Sequence, residues 1–330
     1  MSLIKRHLSA AWYVLTVILP VILRTGRRPV IFSRFAGMGD IICTFPAALA
    51  LKKQHPGATF VYNCAASFAC LPAVGNITNH ITTQPHIGLV GYWYRAFLAG
   101  YYNFGSDDDD AAANHKEFCI TSFARRQGVE VRAEHPYLQT DRAVLAGVKA
   151  RLGKIAGGPL ILIHVGPTWP VKQWPVDSWS GLVRGLKARG FENIFQLGSE
   201  LKDYANLGAG DTGVVAGAIS LVGKLSLEES LALISSADVL VGIDSGLLHA
   251  AASFRVPAVG IWGATSPKFL FSQSEAREFV ISTVACQGCH HRVPRLHWTT
   301  GCPHDIRCLK EIPVEDVLRA CLKILPVAKN

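Results

Sequence analysis

"VLVGIDSGLLHAAASFRVPAVGIWGATSP", residues 239–267, holds a complete structural unit in one stretch. A valine-rich apolar run ends at Ile243, and Asp244-Ser245-Gly246 opens a helical pattern that lasts to Phe254. A second apolar run, "PAVGIW" (257–262), ends in the small polar turn "GATSP", which contains Thr265. Strand, helix and strand in that order, with both strands apolar throughout, spell a parallel sheet covered on both faces. The N–H groups that open the helix, beside a glycine without a side chain, can hold a phosphate directly. An N-cap and a core histidine at His249 would explain the pieces separately. They explain less well why so many polar groups meet at one carboxyl edge.

The same rhythm extends in both directions. Ahead of this unit come a strand at 159–165, a helix over about 177–189, a strand at 191–198 and a helix at 226–237. "GKIAGG" (153–158) closes a helical stretch from Asp141 to Leu152 and is the best linker in the chain. Earlier, "PVIFSRF" (29–35) predicts a strand, a helix runs from Asp40 to "HPG" (55–57), and "ATFVYN" (58–63) predicts a second strand. The alternation blurs over the aromatic stretch 88–104, and "GSDDDD" (105–110) is expected to be a solvated loop. The expected fold is α/β with two Rossmann-like doubly wound lobes. Residues 1–28 form an apolar, basic-flanked N-terminal segment, 29–155 a first lobe and 156–330 a second. Ligands are expected at the carboxyl ends of strands and in a cleft between lobes.

Bulk composition narrows the function. Apolar residues make up 49% and charged ones 17%, which excludes a disordered chain. Lysine and arginine number 33 against 24 acidic residues, a net charge of +9, so an anionic partner is favoured. No arginine-rich run interleaved with aromatics is present, and nucleic acid ranks last among such partners. Nine cysteines, five of them scattered (Cys43, Cys64, Cys70, Cys119, Cys321), suit a reducing compartment. From Ala10 to Leu23 the chain is apolar except at Thr16, with Lys5 and Arg6 before it and Arg24, Arg27 and Arg28 after it. Those residues would span about 21 Å as a helix, less than the ~30 Å core of a bilayer. A helix lying in an anionic leaflet is the expectation, ahead of a helix packed on the first lobe and of a full span.

Two further stretches carry chemistry. In "FSRFAGMGDIICTFPAALALKKQHPG" (32–57), Gly37 and Gly39 begin a G-x-G-x-x-G pattern, but Ile42 stands where the third glycine belongs. Asp40 would repel a pyrophosphate there, so a nicotinamide-type site is disfavoured. Either Asp40 caps its helix or it does chemistry. In "HVGPTWPVKQWPVDSW" (164–179), Lys172 follows a strand and could serve as counter-charge for a diphosphate, or could be a solvated surface lysine.

Taken together and in this order, "GMGDIICTFPAALALKKQHP", "KQWPVDSW", "GIDSGLLHAAASFRVPAVGIWGATSP" and "CPHDIRCLKEIPVEDVL" resemble the ADP-heptose:lipopolysaccharide heptosyltransferase family. Its members are inverting glycosyltransferases of the two-lobed GT-B type, the lobes facing a central cleft. The resemblance implies that Asp40 is the general base for the acceptor hydroxyl, and that Lys172 and Thr168 contact the donor diphosphate. It further implies that Ser245, Gly246 and their helix hold the donor phosphates, that Asp244 touches the donor sugar or orients the loop, and that His249 and Thr265 line the same pocket. Glu200 or Asp203, in "GSELKD", would meet the ribose. The implied partners are an ADP-activated sugar donor and an anionic glycolipid acceptor at the cytoplasmic face of a bacterial inner membrane, reached peripherally or monotopically. No cofactor is required by this chemistry, because the helix start and Lys172 stabilise the leaving diphosphate. A non-catalytic binding protein of the same fold, or a transferase using another nucleotide sugar, is the alternative.

Near the C-terminus, Cys286, Cys289, Cys302 and Cys308 have the donor set of a tetrahedral zinc site, although the second pair is spaced more widely than in the usual knuckle. They are structural zinc candidates, or reduced thiols that stabilise a loop.

Overall fold

The computed structural model describes residues 3–85, 89–90, 100–106, 117–153, 158–166, 168–200, 213–272, 277–292 and 301–325. The chain divides into two compact units, Met1–Gln139 and Thr140–Asn330. The helix expected to close the first lobe, Arg142–Leu152, is grouped with the second unit, where Arg151 bonds the carboxylate of Glu229 at 2.6 Å.

In the first unit, α1 (Leu3–Tyr13), a five-residue π-turn (Val14–Ile18) and α2 (Leu19–Thr25) follow one another as a single helical rod. Pro20 has no N–H for the carbonyl four residues earlier, and the wide turn just ahead of it accommodates that loss. The rod is longer than the apolar stretch alone suggested, because Lys5, Arg6 and Arg24 are helical too. Its residues Ala10, Tyr13 and Ile18 are buried against Ile31, Val61 and Tyr101. Next come β1 (Val30–Phe35), α3 (Met38–Gln54), β2 (Phe60–Asn63), α4 (Leu71–Val74), β3 (Ile81–Thr82), β4 (Tyr101–Ser106) and α5 (Cys119–Arg126). The sheet is parallel in the order β3-β2-β1-β4. The chain therefore steps one way from β1 to β3 and then returns to the other side of β1. That reversal places a topological switch point between β1 and β4, where doubly wound sheets bind ligands. The aspartates at 107–110 lie outside the described residues.

The second unit repeats the plan. Helix α6 (Arg142–Leu152) has Asp141 as its N-cap, accepting from Ala143 and Val144 N–H. Then follow β5 (Ile161–His164), α7 (Val176–Lys187), β6 (Ile194–Leu197), β7 (Ile219–Ser220), α8 (Leu227–Ile234), β8 (Val239–Ile243), α9 (Gly246–Ser253), β9 (Ala258–Trp262), β10 (Arg277–Ile281), the one-turn α10 (Arg307–Lys310) and α11 (Val314–Ile324). Ser226 and Glu229 start α8 with a reciprocal capping box. All six strands are parallel in the order β10-β9-β8-β5-β6-β7, so the switch point falls between β5 and β8. One face packs Ile161, Ile163, Val239 and Val241 against Trp179, Leu182 and Leu186 of α7 and Val317 and Cys321 of α11. Gly185 lets α11 approach: a Cβ there would stand 2.9 Å from Leu318 Cδ2. Strand β10 and helix α11 enlarge the unit beyond the elements expected from the sequence.

Candidate active site

Each switch point carries an ion pair, and the two are best described separately. In the first unit, β1 is apolar except for Ser33 and Arg34. Arg34 is fully buried, its Nη1 donating to the carbonyl of Phe104 at 3.2 Å and its guanidinium lying 4.9 Å from the ring centroid of Phe123. Opposite Arg34 the β1–β4 register slips: Ser33 pairs with Asn103 but Phe35 pairs with Ser106. Gly105, at φ +87°, takes up the bulge. The other end of the guanidinium reaches Asp40, with Nη2 and Oδ1 3.5 Å apart.

Asp40 is the third residue of α3, and its side chain is 46% exposed. The cap position belongs to Gly37, which makes no side-chain cap bond. A Cβ on Gly37 would come within 3.3 Å of Asp40 Oδ2, so the glycine leaves room for the carboxylate. Asp40 is therefore not the N-cap of α3: its carboxylate leans on a buried arginine and is partly open to solvent. Arg34 went unremarked among the sequence candidates, although a lone arginine inside an apolar strand was a readable signal.

In the second unit, Asp244 follows β8 directly and is buried. Lys172, on the 3₁₀ turn Pro170–Lys172 after β5, reaches across the switch point, its Nζ 2.8 Å from Asp244 Oδ2. Thr265, in the turn after β9, donates to the same oxygen at 2.8 Å. Burial alone would raise the carboxyl pKa of Asp244. The charge and hydrogen bond of Lys172, with smaller contributions from His249 and Thr265, hold it below the ordinary carboxylate range instead. Asp244 therefore remains an anion that fixes Lys172 in place.

Helix α9 begins at this same edge. Ser245 occupies its N-cap, and the Ser245 Oγ is buried without a hydrogen-bond partner among the described residues. The N–H groups of Gly246 and Leu247 have no acceptor within their own helix. Three donors thus gather at a positively polarised helix start, an arrangement suited to an anion. His249 is buried deeper in the helix, stacked on Phe271 with 4.7 Å between ring centroids, and its ring also bears on the charge of Asp244. Thr168 lies in the loop between β5 and the 3₁₀ turn, where its carbonyl accepts from Gln173. Glu200, beyond the end of β6, lies over Gly223, where a Cβ would come within 2.9 Å of its Oε1. Asp203 lies outside the described residues. His164 ends β5 in full burial, which pushes its pKa down to about 4 despite a hydrogen bond with the Leu197 carbonyl.

The cysteine-rich segment packs behind this edge. Gln287 donates to the Thr265 carbonyl at 3.1 Å, Gly288 N–H to Gly263 and His290 N–H to Ala264. Burial pushes the Cys308 thiol up to about 12, and the neighbouring Cys286, Cys289 and Cys302 push in the same direction. The four sulfurs thus share one neighbourhood, behind the turn that presents Thr265.

The family described as Glycosyltransferase family 9 (heptosyltransferase) matches residues 102–298, a range that includes Lys172 and 244–249 and begins beyond Asp40. Lipopolysaccharide heptosyltransferase 1 of Pseudomonas aeruginosa is 28% identical over 135 residues, which cover 40% of this chain and 37% of that protein. Lipopolysaccharide heptosyltransferase 3 of Escherichia coli K12 is 30% identical over 156 residues, covering 47% of this chain and 43% of that protein. The matched stretches therefore span less than half the length of these two relatives. Among solved structures, the iron-containing dodecameric glycosyltransferase TibC of enterotoxigenic E. coli superposes with a TM-score of 0.66 at 19% identity, covering 90% of this chain and 76% of that one. The E. coli ADP-heptose lipopolysaccharide heptosyltransferase II does so with a TM-score of 0.64 at 18% identity, covering 89% and 98%. These likenesses show the expected two-sheet α/β fold.

Proposed function

The chain belongs to glycosyltransferase family 9, the heptosyltransferase family, and from that premise we propose that it transfers a sugar, heptose from ADP-heptose, to a lipopolysaccharide core acceptor with inversion. The observation that supports this reading most is the ion pair at each switch point, with an outward carboxylate in one unit and a held cation beside a helix start in the other. Asp40 is assigned the role of general base, removing the proton of the acceptor hydroxyl as its oxygen attacks the anomeric carbon. The bond to the donor phosphate breaks in the same displacement, and negative charge grows on the departing diphosphate. Lys172, the Ser245 hydroxyl and the N–H groups of Gly246 and Leu247 are assigned to that charge, with Thr168 beside them. Asp244 then acts through Lys172, setting where the ammonium stands, and Glu200 and Asp203 are the ribose candidates. In this reading the first unit binds the acceptor and the second the donor.

The transfer step draws on no cofactor in this scheme. Cys286, Cys289, Cys302 and Cys308 are the structural zinc candidates of this reading, although among the described residues their sulfurs do not gather within ligand distance of one another. The acceptor is an anionic glycolipid at the cytoplasmic face of the inner membrane, consistent with the net charge of +9. A thermal-shift panel of ADP, UDP, GDP and NAD, followed by a transfer assay with ADP-heptose, tests the reading. It is supported by stabilisation with ADP above the others together with turnover. Stabilisation by NAD alone would overturn it.

A further inference from the structure

The helical rod at the N-terminus has two apolar faces, and the first unit covers only one. On the covered side, the Tyr13 hydroxyl bonds the Thr82 hydroxyl at 2.9 Å, and Gln84 Nε2 donates to the Ser9 carbonyl at 2.7 Å. Ala10, Tyr13 and Ile18 are buried there. On the other side, Ile4, Leu8, Trp12, Leu15, Leu19 and Leu23 follow at spacings of three or four residues and form one stripe along the rod. Ile4 is 71% exposed, Trp12 63% and Leu23 77%, so the stripe lies open along its full length.

The charges around the stripe select its occupant. Lys5 and Arg6 stand exposed at one end and Arg24, Arg27 and Arg28 at the other, and residues 3–28 contain no aspartate or glutamate. A second copy laid on the stripe would bring these like charges together in the antiparallel orientation and in the parallel one. An anionic lipid surface meets both features at once: apolar side chains enter the acyl boundary while the basic ends rest among headgroups. We infer that the rod docks flat on an anionic bilayer through the Ile4–Leu23 stripe, and does not cross it. Crossing would require Ala10, Tyr13 and Ile18 to leave the core that they share with Ile31, Val61 and Tyr101. The inference rests on the glycolipid reading for its setting, but the physical argument uses the rod alone.

The test is co-sedimentation of the full chain with phosphatidylcholine vesicles, with and without phosphatidylglycerol. The chain is expected to bind the anionic vesicles, to bind them less as salt rises, and to leave them in alkaline carbonate. Combined Leu8→Ser, Trp12→Ser and Leu15→Ser is expected to weaken binding by more than tenfold. Arg6→Gln with Arg24→Gln should weaken it by about fivefold per charge. All of these side chains are exposed, and an unchanged unfolding midpoint verifies the fold of each variant. Wild-type chain that ignores anionic vesicles, or a stripe variant that binds them as well as wild type, would overturn the inference. Resistance to carbonate would indicate a span, and a lipid-free dimer abolished by the stripe variant would indicate a second copy; either outcome overturns it too. A chain that binds vesicles through the stripe yet transfers no sugar would count against the glycolipid reading alone.

Discussion

The two units place an ion pair at the same topological position with the order of charges reversed. In the first, the cation is the buried member: Arg34 has no exposed side-chain surface, and Asp40, 3.5 Å away, is 46% exposed. In the second, Asp244 is 8% exposed, and Lys172, 2.8 Å away, is 15% exposed. In the first unit both partners belong to one strand-turn-helix, β1 to α3, whereas in the second they lie on the loops that follow the neighbouring strands β5 and β8. The looser pair leaves nearly half of the Asp40 side chain open to solvent. The tight pair, reinforced by Thr265, fixes the ammonium of Lys172 beside the start of α9, where the proposed reading puts the donor phosphates.

The largest effect is expected at the looser pair. Asp40→Asn should lower the transfer rate by about 10²- to 10⁴-fold with no change in unfolding midpoint, as measured by steady-state assay and calorimetry. At the tight pair stability falls as well. Lys172→Met leaves Asp244 buried without its counter-charge, which costs about 3–5 kcal/mol in denaturant unfolding and weakens ADP binding. Adding Asp244→Leu should recover most of the stability but none of the ADP affinity, separating the structural role of the pair from its binding role. If the double variant recovers ADP binding, Lys172 does not touch the donor.

Smaller effects sharpen the contrast. Arg34→Lys keeps the charge but loses the fork that reaches Phe104, and roughly a 10- to 100-fold fall in kcat with donor KM unchanged is expected from a misplaced Asp40. The pH dependence of stability should belong to the second unit. His164 is held neutral at about 4 against 6.5 when unfolded, so the unfolded chain binds the extra proton between those values. Stability should therefore drop by about 3 kcal/mol as pH falls from 6.5 to 4, and His164→Asn should flatten that window in denaturant melts. The lowered carboxyl of Asp244 stabilises the fold above its ordinary value of 3.8 and loses that contribution only as pH falls below it, outside this range. Thr265→Val, which removes one hydrogen bond to Asp244, should cost about 1–2 kcal/mol.

The parallel sheets were legible because most of their central strands are largely apolar and glycine or proline marks many of their ends. Asp40, Lys172 and Asp244 were legible as polar residues just beyond such strands. Sequence separation hid the pairing. Lys172 and Asp244 lie on loops after different strands, and only the order β8-β5 brings those loops together. Arg34 was readable as a lone arginine in an apolar strand, but the register shift of β4 opposite it, at Gly105, was not. His249 was singled out from its motif, but its stacking on Phe271 could not be read from the sequence. The second apolar face of the N-terminal rod was invisible to hydropathy, which cannot distinguish a covered leucine from a bare one.

The division of labour between the units is tested most directly by titrating ADP into Asp40→Asn beside the wild-type chain. The account predicts equal ADP affinity in the two proteins, because the carboxylate acts on the acceptor alone. A tenfold or greater loss of ADP affinity in the variant would contradict it.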